Sequence, residues 1–142
     1  MRFGLLIVFG CLLVGCAAHG KKTALSPMRS DSYRIQVSAP ETMVVGSNAP
    51  LEVRLTTSPP YTVTQGFPLK LVLKGGKGIA SKPSSLGLSD ADLTERMAIL
   101  RTTLSAIVVG QHRLNGVYSF SICDNSRCVE KRVKLEIPLE VR

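Results

Sequence analysis

The stretch that decides the fold covers residues 118–141 and reads YSFSICDNSRCVEKRVKLEIPLEV. Apolar and polar residues alternate on both sides of the polar run at residues 124–127. Alternation with a period of two is typical of half-buried strands, so the pattern predicts a β-hairpin with a four-residue loop. If Cys123 faces Cys128, then Tyr118 faces Val133, and the apolar faces of the two strands agree. The register and the hydrophobic pattern therefore support the same pairing.

This register predicts a disulfide between Cys123 and Cys128, because facing positions of a ladder lie within bridging distance. Both cysteines fall on the polar face of their strands, so we expect an exposed bridge. Closing so short a loop stabilises a domain by only about 2 kcal/mol in the chain-entropy model. We interpret the bridge as a loop staple, and the alternative is a redox-active pair open to a partner thiol.

Shorter alternating segments precede the hairpin, at residues 33–37, 51–55 and 67–73. Turn-forming residues separate them at 46–50 and 58–60, and Gly75, Gly76 and Gly78 indicate a hairpin turn. Residues 89–104 are ambiguous, because their leucines fit both a helical and an alternating spacing. We interpret them as a short turn near 89–93 followed by a strand from Met97. About seven strands in this length predict an all-β, immunoglobulin-like β-sandwich over residues 33–142.

The amino terminus has the pattern of a secretory signal. Arg2 precedes the ten-residue apolar run at 5–14, which is too short for a membrane-spanning helix. The run ends in Leu13-Val14-Gly15-Cys16, which resembles the lipobox of bacterial lipoproteins. The resemblance implies that residues 1–15 are cleaved as a signal peptide and that Cys16 is acylated; an uncleaved anchor helix or an ordinary secretory signal is the alternative. Cys11 lies inside the apolar run and is the poorer candidate.

Residues 16–32 are rich in Gly, Lys, Ser and Pro and predict a flexible tether between the lipid and the domain. Ala17 follows Cys16, where an aspartate would favour retention in the inner membrane. We therefore expect a cell-envelope protein that is attached to the lipid bilayer through acylated Cys16, on the periplasmic side of the outer membrane. An envelope protein is the other expected kind of partner.

The formal net charge of the chain is +8, from 18 Lys and Arg against 10 Asp and Glu. The charges are dispersed and no basic helix with interleaved aromatic residues occurs, so we expect a basic surface near anionic lipid and no nucleic-acid binding. Sequence motifs of nucleophile elbows, zinc proteases and phosphate loops are absent. Two cysteines with four residues between them, and with His112 elsewhere, do not make a recognisable metal-ligand set. We expect neither enzymatic activity nor a cofactor or metal.

Four segments together resemble a group of small Gram-negative lipoproteins that carry an immunoglobulin-like domain and have no assigned activity. The likeness covers roughly residues 42–141; after Val53, the matching segments are Tyr61-Thr62-Val63, Phe67-Pro68-Leu69-Lys70-Leu71, Gly110-Gln111-His112, and Tyr118-Ser119-Phe120-Ser121-Ile122-Cys123 with Cys128. The ending is also similar to the periplasmic N-terminal domain of the thiol–disulfide exchanger DsbD. That likeness implies that Cys123 and Cys128 match an exchanging pair. The sequence therefore predicts a membrane-anchored, non-catalytic binding or structural domain, with thiol–disulfide exchange as the alternative.

Overall fold

The computed structural model describes residues 22–25 and 28–142, and these form two β-sheets. In chain order the strands are β1 (Lys22–Ala24), β2 (Met28–Arg29), β3 (Tyr33–Pro40), β4 (Thr42–Met43), β5 (Asn48–Thr57), β6 (Thr62–Val63), β7 (Lys70–Lys74), β8 (Ile79–Lys82), β9 (Ser85–Gly87), β10 (Ala91–Leu93), β11 (Met97–Ala106), β12 (Gly110–Cys123) and β13 (Cys128–Val141). A single 3-10 turn, Leu88–Asp90, is the only helical element of the described residues. The fold is the predicted all-β, immunoglobulin-like sandwich.

The first sheet has the strand order β1-β3-β5-β11-β10, with β2 also paired to β3 and β8 to β11. The second has the order β4-β13-β12-β7-β9, with β6 also paired to β12. All pairs are antiparallel except β13 with β4. Seven of the described strands have four residues or more, namely β3, β5, β7, β8, β11, β12 and β13. The six shorter strands extend this framework at its edges and ends.

One hydrophobic core lies between the sheets and is built by the alternating residues that the sequence pattern indicates. Strand β5 contributes its buried leucines and valine, and β12 contributes Tyr118, Phe120 and Ile122. The ring of Tyr33 packs edge-on against Phe120, with 5.1 Å between the ring centroids. Burial of a large aliphatic or aromatic side chain stabilises a fold by about 1.5–3 kcal/mol, so this alternation fixes which face of each strand points inward.

The ambiguous segment at residues 89–104 is mostly strand. The 3-10 turn at Leu88–Asp90 leads into β10, and β11 begins at Met97 as expected. The helical alternative is wrong, because β11 pairs along its length with β5 and also with β8 and β10. A strand with neighbours on both edges satisfies its backbone groups in the sheet, and this pairing outweighs the local helical spacing.

Three boundaries differ from the predicted ones. Residues 22–24 and 28–29 pair with β3, so the segment predicted as a flexible tether contains strands. The glycine-rich turn at 75–78 is not a hairpin turn, because it joins β7 in the second sheet to β8 in the first. Strand β7 starts at Lys70, which leaves residues 67–69 in the preceding loop. Strands β7 and β8 pair with β12 and β11, which are distant in sequence, so a local pattern does not specify these pairs. Strands β1 and β2 instead pair with β3, which follows them along the chain, and the residue composition of the segment did not indicate this pairing.

Among the described residues, no helix has the length and apolar character needed to cross a membrane. The predicted signal peptide (1–15) and Cys16 lie outside the described residues.

Candidate functional site

The candidate site is the turn between β12 and β13 and the disulfide that closes it. Each strand has 14 residues, and their pairing places Cys123 opposite Cys128 and Tyr118 opposite Val133, as predicted. The turn itself is a hydrogen-bonded four-residue loop, since the Asp124 amide donates to the Arg127 carbonyl at 2.9 Å. The sequence therefore predicted both the register of this hairpin and the length of its loop.

Cys123 and Cys128 form a disulfide across the first strand pair beyond the loop, with 4.0 Å between their Cα atoms. The neighbouring pair at 124 and 127 is hydrogen-bonded, so the cysteines occupy a non-hydrogen-bonded position, where opposed residues of an antiparallel ladder come closest. The strand geometry thus brings the two sulfur atoms together.

The two cysteines differ in exposure. By alternation both lie on the outer face of the second sheet, as predicted, but Cys123 is only 8% exposed whereas Cys128 is exposed. The expectation of a fully exposed bridge is therefore wrong for Cys123. Strand β6 pairs with the end of β12 and places Thr62 beside Cys123, with the Thr62 hydroxyl 3.4 Å from the Cys123 carbonyl oxygen.

The segment before β7 covers part of the same outer face. Phe67 and Pro68 line a recess together with Ser121 and Cys128, and Ser121 is 8% exposed although it lies on the outer side of β12. Sequence alternation missed this cover, because alternation reports which side of a sheet a residue occupies and not what lies over that side. The exposed cysteine thus faces a recess with an aromatic wall.

Asp124 organises the loop beside the bridge. Its Oδ1 atom accepts hydrogen bonds from the amides of Ser126 and Arg127 and from the Ser126 hydroxyl, each at 2.9 Å. These donors, the Ser126 amide first, favour the ionised carboxylate and hold the pKa of Asp124 below its ordinary value. An aspartate that satisfies loop amides in this way is a common turn device. The loop is therefore held by its own side chain as well as by the disulfide.

His112, the other residue weighed as a metal ligand, lies at the opposite end of β12. Its Nε2 atom is 2.5 Å from the Val108 carbonyl oxygen, and its ring lies over Gly78. Within residues 22–25 and 28–142, no three His, Cys, Asp or Glu side chains come together as a metal site would require. The structure brings Cys123 and Cys128 together and keeps His112 separate from them.

No protein-family model and no curated protein matches this sequence. Among solved structures, the chain is similar to the N-terminal periplasmic domain of ScsB from Proteus mirabilis, with a TM-score of 0.54 and 10% identity over 82% of this chain and 51% of that one. The chain thus spans about half the length of the ScsB structure. It is also similar to a conjugative transposon lipoprotein from Bacteroides eggerthii, with a TM-score of 0.47 and 14% identity over 78% of this chain and 98% of that one. At these identities the likeness to ScsB shows the fold alone.

Proposed function

We propose that this chain is a bacterial envelope lipoprotein, attached through acylated Cys16 to the periplasmic face of the outer membrane. Its immunoglobulin-like domain serves as a non-catalytic binding or structural module for an envelope protein. The observation that carries the proposal is the Cys123–Cys128 disulfide, because such bridges form and persist in oxidising compartments such as the periplasm. The lipobox-like residues 13–16 are the proposed signal for acylation and membrane attachment.

The surroundings of the bridge support a structural role. Cys123 is buried beside β6, and Asp124 orders the loop independently of the sulfur atoms. A bridge in this position fixes the free end of the two longest strands of the domain, where fraying is otherwise expected. A stapled hairpin keeps the second sheet rigid up to its last residue pair.

The lipid attachment is tested in cells with a matched pair of cysteine substitutions. The chain is expressed with an alkyne-labelled fatty acid, and incorporation is compared for the unaltered chain, Cys16→Ser and Cys11→Ser. We expect Cys16→Ser to lose the label and Cys11→Ser to keep it, because Cys16 ends the lipobox-like residues 13–16 whereas Cys11 lies inside the apolar run. A label that survives in Cys16→Ser, or that disappears in Cys11→Ser, contradicts the proposal.

A second candidate function is thiol–disulfide exchange, favoured by the exposure of Cys128. A partner thiolate can approach the Cys128 sulfur from the recess and form a mixed disulfide, and the electron pair of the broken bond leaves on the Cys123 sulfur, which takes up a proton. A second thiolate of the partner then attacks its own mixed disulfide sulfur and releases Cys128 as a thiol. The partner dithiol is oxidised to a disulfide, and the chain receives two electrons and two protons.

The reduction potential of the bridge separates these two functions. A potential below about −300 mV, typical of structural bridges, excludes exchange, and a higher value supports it. The single variants provide a second readout with glutathione disulfide as the probe. Exchange predicts that Cys123→Ser, which leaves the exposed Cys128 thiol, reacts much faster than Cys128→Ser, which leaves the buried Cys123 thiol. Equal rates contradict the proposed point of attack.

A further inference from the structure

Two loops at the end of the sandwich opposite the disulfide expose aliphatic side chains. The β4–β5 turn contains two of these residues and the β11–β12 loop contains three; they are Val44, Val45, Ile107, Val108 and Val109, and we call them the aliphatic loops. Among the described residues, seven large hydrophobic residues are exposed, and these five are the majority. Val44 is 65% exposed and Val109 is 60% exposed. An apolar cluster of this kind on a surface marks an interaction or membrane site.

The two loops are neighbours in space. The Gly46 amide donates to the Ala106 carbonyl at 2.8 Å, and the Ala106 amide donates to the Ser47 carbonyl at 3.0 Å. Ala106 is the residue immediately before Ile107, so the turn and the loop form one continuous surface.

Backbone hydrogen bonds hold the exposed side chains in place. The Val45 amide donates to the Arg142 carbonyl at 2.8 Å, and the Ile107 amide donates to the Gly78 carbonyl at 2.8 Å. Gly46 has a φ of +81°, as the third residue of a type II turn requires. The backbone of the aliphatic loops is thus anchored by the fold while their side chains remain in water. Exposure of this apolar surface to water is unfavourable in free energy, and contact with an apolar phase would remove that penalty.

The amino-terminal chain enters the domain at this same end. Lys22 pairs with Pro40, the last residue of β3. After Pro40 the chain passes through β4 directly into the turn at Val44, so Lys22 lies near the aliphatic loops. Cys16 precedes Lys22 by six residues, so the backbone between them spans at most about 20 Å. A lipid on Cys16 therefore keeps this end of the domain close to the bilayer.

The hairpin end lies too far from the amino-terminal chain to contact the bilayer in place of the aliphatic loops. Strand β12 runs from Gly110, next to the aliphatic loops, to Cys123, and 14 strand residues extend for roughly 45 Å. We infer that the aliphatic loops insert into the surface of the bilayer that holds the acyl chains of Cys16, so that the sandwich stands end-on with its disulfide hairpin directed away. This inference rests on the proposed acylation of Cys16. Lys77, exposed in the neighbouring β7–β8 loop, adds a cation suited to anionic head groups.

The absence of tryptophan from the chain makes the test direct, because an introduced tryptophan is the sole indole fluorophore. The full chain is purified from membranes as Val109→Trp, as Val45→Trp and, as the matched control at the hairpin end, as Ser126→Trp. Each is reconstituted into vesicles of phosphatidylethanolamine and phosphatidylglycerol, with and without brominated acyl chains. Mass spectrometry of the amino-terminal peptide reports acylation in the same samples.

We expect the emission of Val109→Trp and Val45→Trp in vesicles to lie at shorter wavelength than that of an exposed indole. We also expect this emission to be less intense in vesicles with brominated acyl chains than in vesicles without them. The emission of Ser126→Trp is expected to match that of an exposed indole and to be unaffected by bromine. Acylated protein in which all three variants fluoresce alike overturns the inference and leaves the proposed lipoprotein intact. Protein without acyl chains overturns the proposed function, and with it the orientation inferred from it.

Discussion

The two ends of the sandwich are held by different means. At the hairpin end, a disulfide and the Asp124 carboxylate fix a single four-residue loop. At the other end, Val45 binds Arg142, and Gly78 binds Ile107, through backbone hydrogen bonds between segments distant in sequence. The hairpin end presents a polar loop, whereas the opposite end presents aliphatic side chains. Local chemistry fixes the loop at the first end, and hydrogen bonds between distant segments fix the loops at the second.

This difference implies that the ends respond differently to substitution. The loop and the bridge of the hairpin end are built from residues adjacent in sequence, so losing the bridge should loosen that end and leave the rest of the fold unchanged. The aliphatic end is built where the β4–β5, β7–β8 and β11–β12 connections meet, so one poorly fitting side chain there should disturb several connections together.

The largest effect is expected from Gly78→Ala. A Cβ atom at Gly78 would lie 2.0 Å from the His112 ring, which must move away and give up its contact with the Val108 carbonyl. We expect this overpacking to lower the free energy of unfolding by about 3 kcal/mol, measured by urea denaturation. Gly76→Ala is the matched control, because a Cβ atom there has nothing within 4 Å and little should change.

A second substitution shows whether the ring is the cause. His112→Ala alone should cost less than Gly78→Ala, and combining the two should restore part of the stability lost in Gly78→Ala. Equal stability of the Gly78→Ala and Gly76→Ala variants would show that the aliphatic end tolerates local change and would remove the contrast between the ends.

A smaller effect is expected from removing the disulfide by Cys123→Ser with Cys128→Ser. The bridge joins residues five apart in sequence, and a loop so short constrains the unfolded chain by only about 2 kcal/mol. Hydrogen exchange should become faster for amides at the ends of β12 and β13 and remain unchanged at the aliphatic end. Faster exchange at both ends would contradict the local character of the hairpin end.

The same contrast explains how far the sequence could be interpreted. The hairpin register followed from alternation and from one cysteine pair, because both strands and their loop are contiguous. The exposure of Cys123 could not be predicted, since β6 and the residues before β7 that cover this region come from elsewhere in the chain. The acylation of Cys16 stays a prediction, because that residue is outside the described part.

The aliphatic loops could not be identified from their sequence either. Residues 107–109 continue the apolar character of β11, and a pattern of that kind predicts further buried strand. Pairing with β5 and β8 nevertheless stops at Ser105 and Ala106, so the apolar run passes beyond the edge of both partners into solvent. The exposure of residues 107–109 depends on where β5 and β8 end, and the sequence of residues 107–109 alone does not predict those ends.

Tyr118, in the core between the two ends, offers a stabilising change. Its side chain is fully buried, and its hydroxyl has no hydrogen-bond partner among the described residues. Tyr118→Phe removes an unsatisfied polar group, and we expect the free energy of unfolding to rise by about 1 kcal/mol at neutral pH. A loss of stability in thermal or urea unfolding would mean that the hydroxyl has a partner, such as a buried water molecule.

Alkaline pH sharpens this prediction. Burial raises the pKa of Tyr118 above its ordinary value, so above about pH 10 the unfolded chain releases this proton while the folded chain retains it. The contribution of Tyr118 to stability is therefore constant below about pH 10 and falls as the pH rises further. Tyr118→Phe should decrease this alkaline loss of stability, and identical pH profiles for the two proteins would contradict the assignment.

The smallest effect on stability is expected from two exposed valines of the aliphatic loops. Val45→Ser with Val109→Ser should change the free energy of unfolding in water by less than about 0.5 kcal/mol, because both side chains are already exposed. The matched control is Phe67→Ser, which removes an exposed apolar side chain at the hairpin end, beside the disulfide. A clear destabilisation by the valine substitutions would mean that these side chains support the fold itself. If stability is unchanged while contact of the acylated chain with the bilayer is weakened, the aliphatic end owes its apolar surface to the membrane and not to folding.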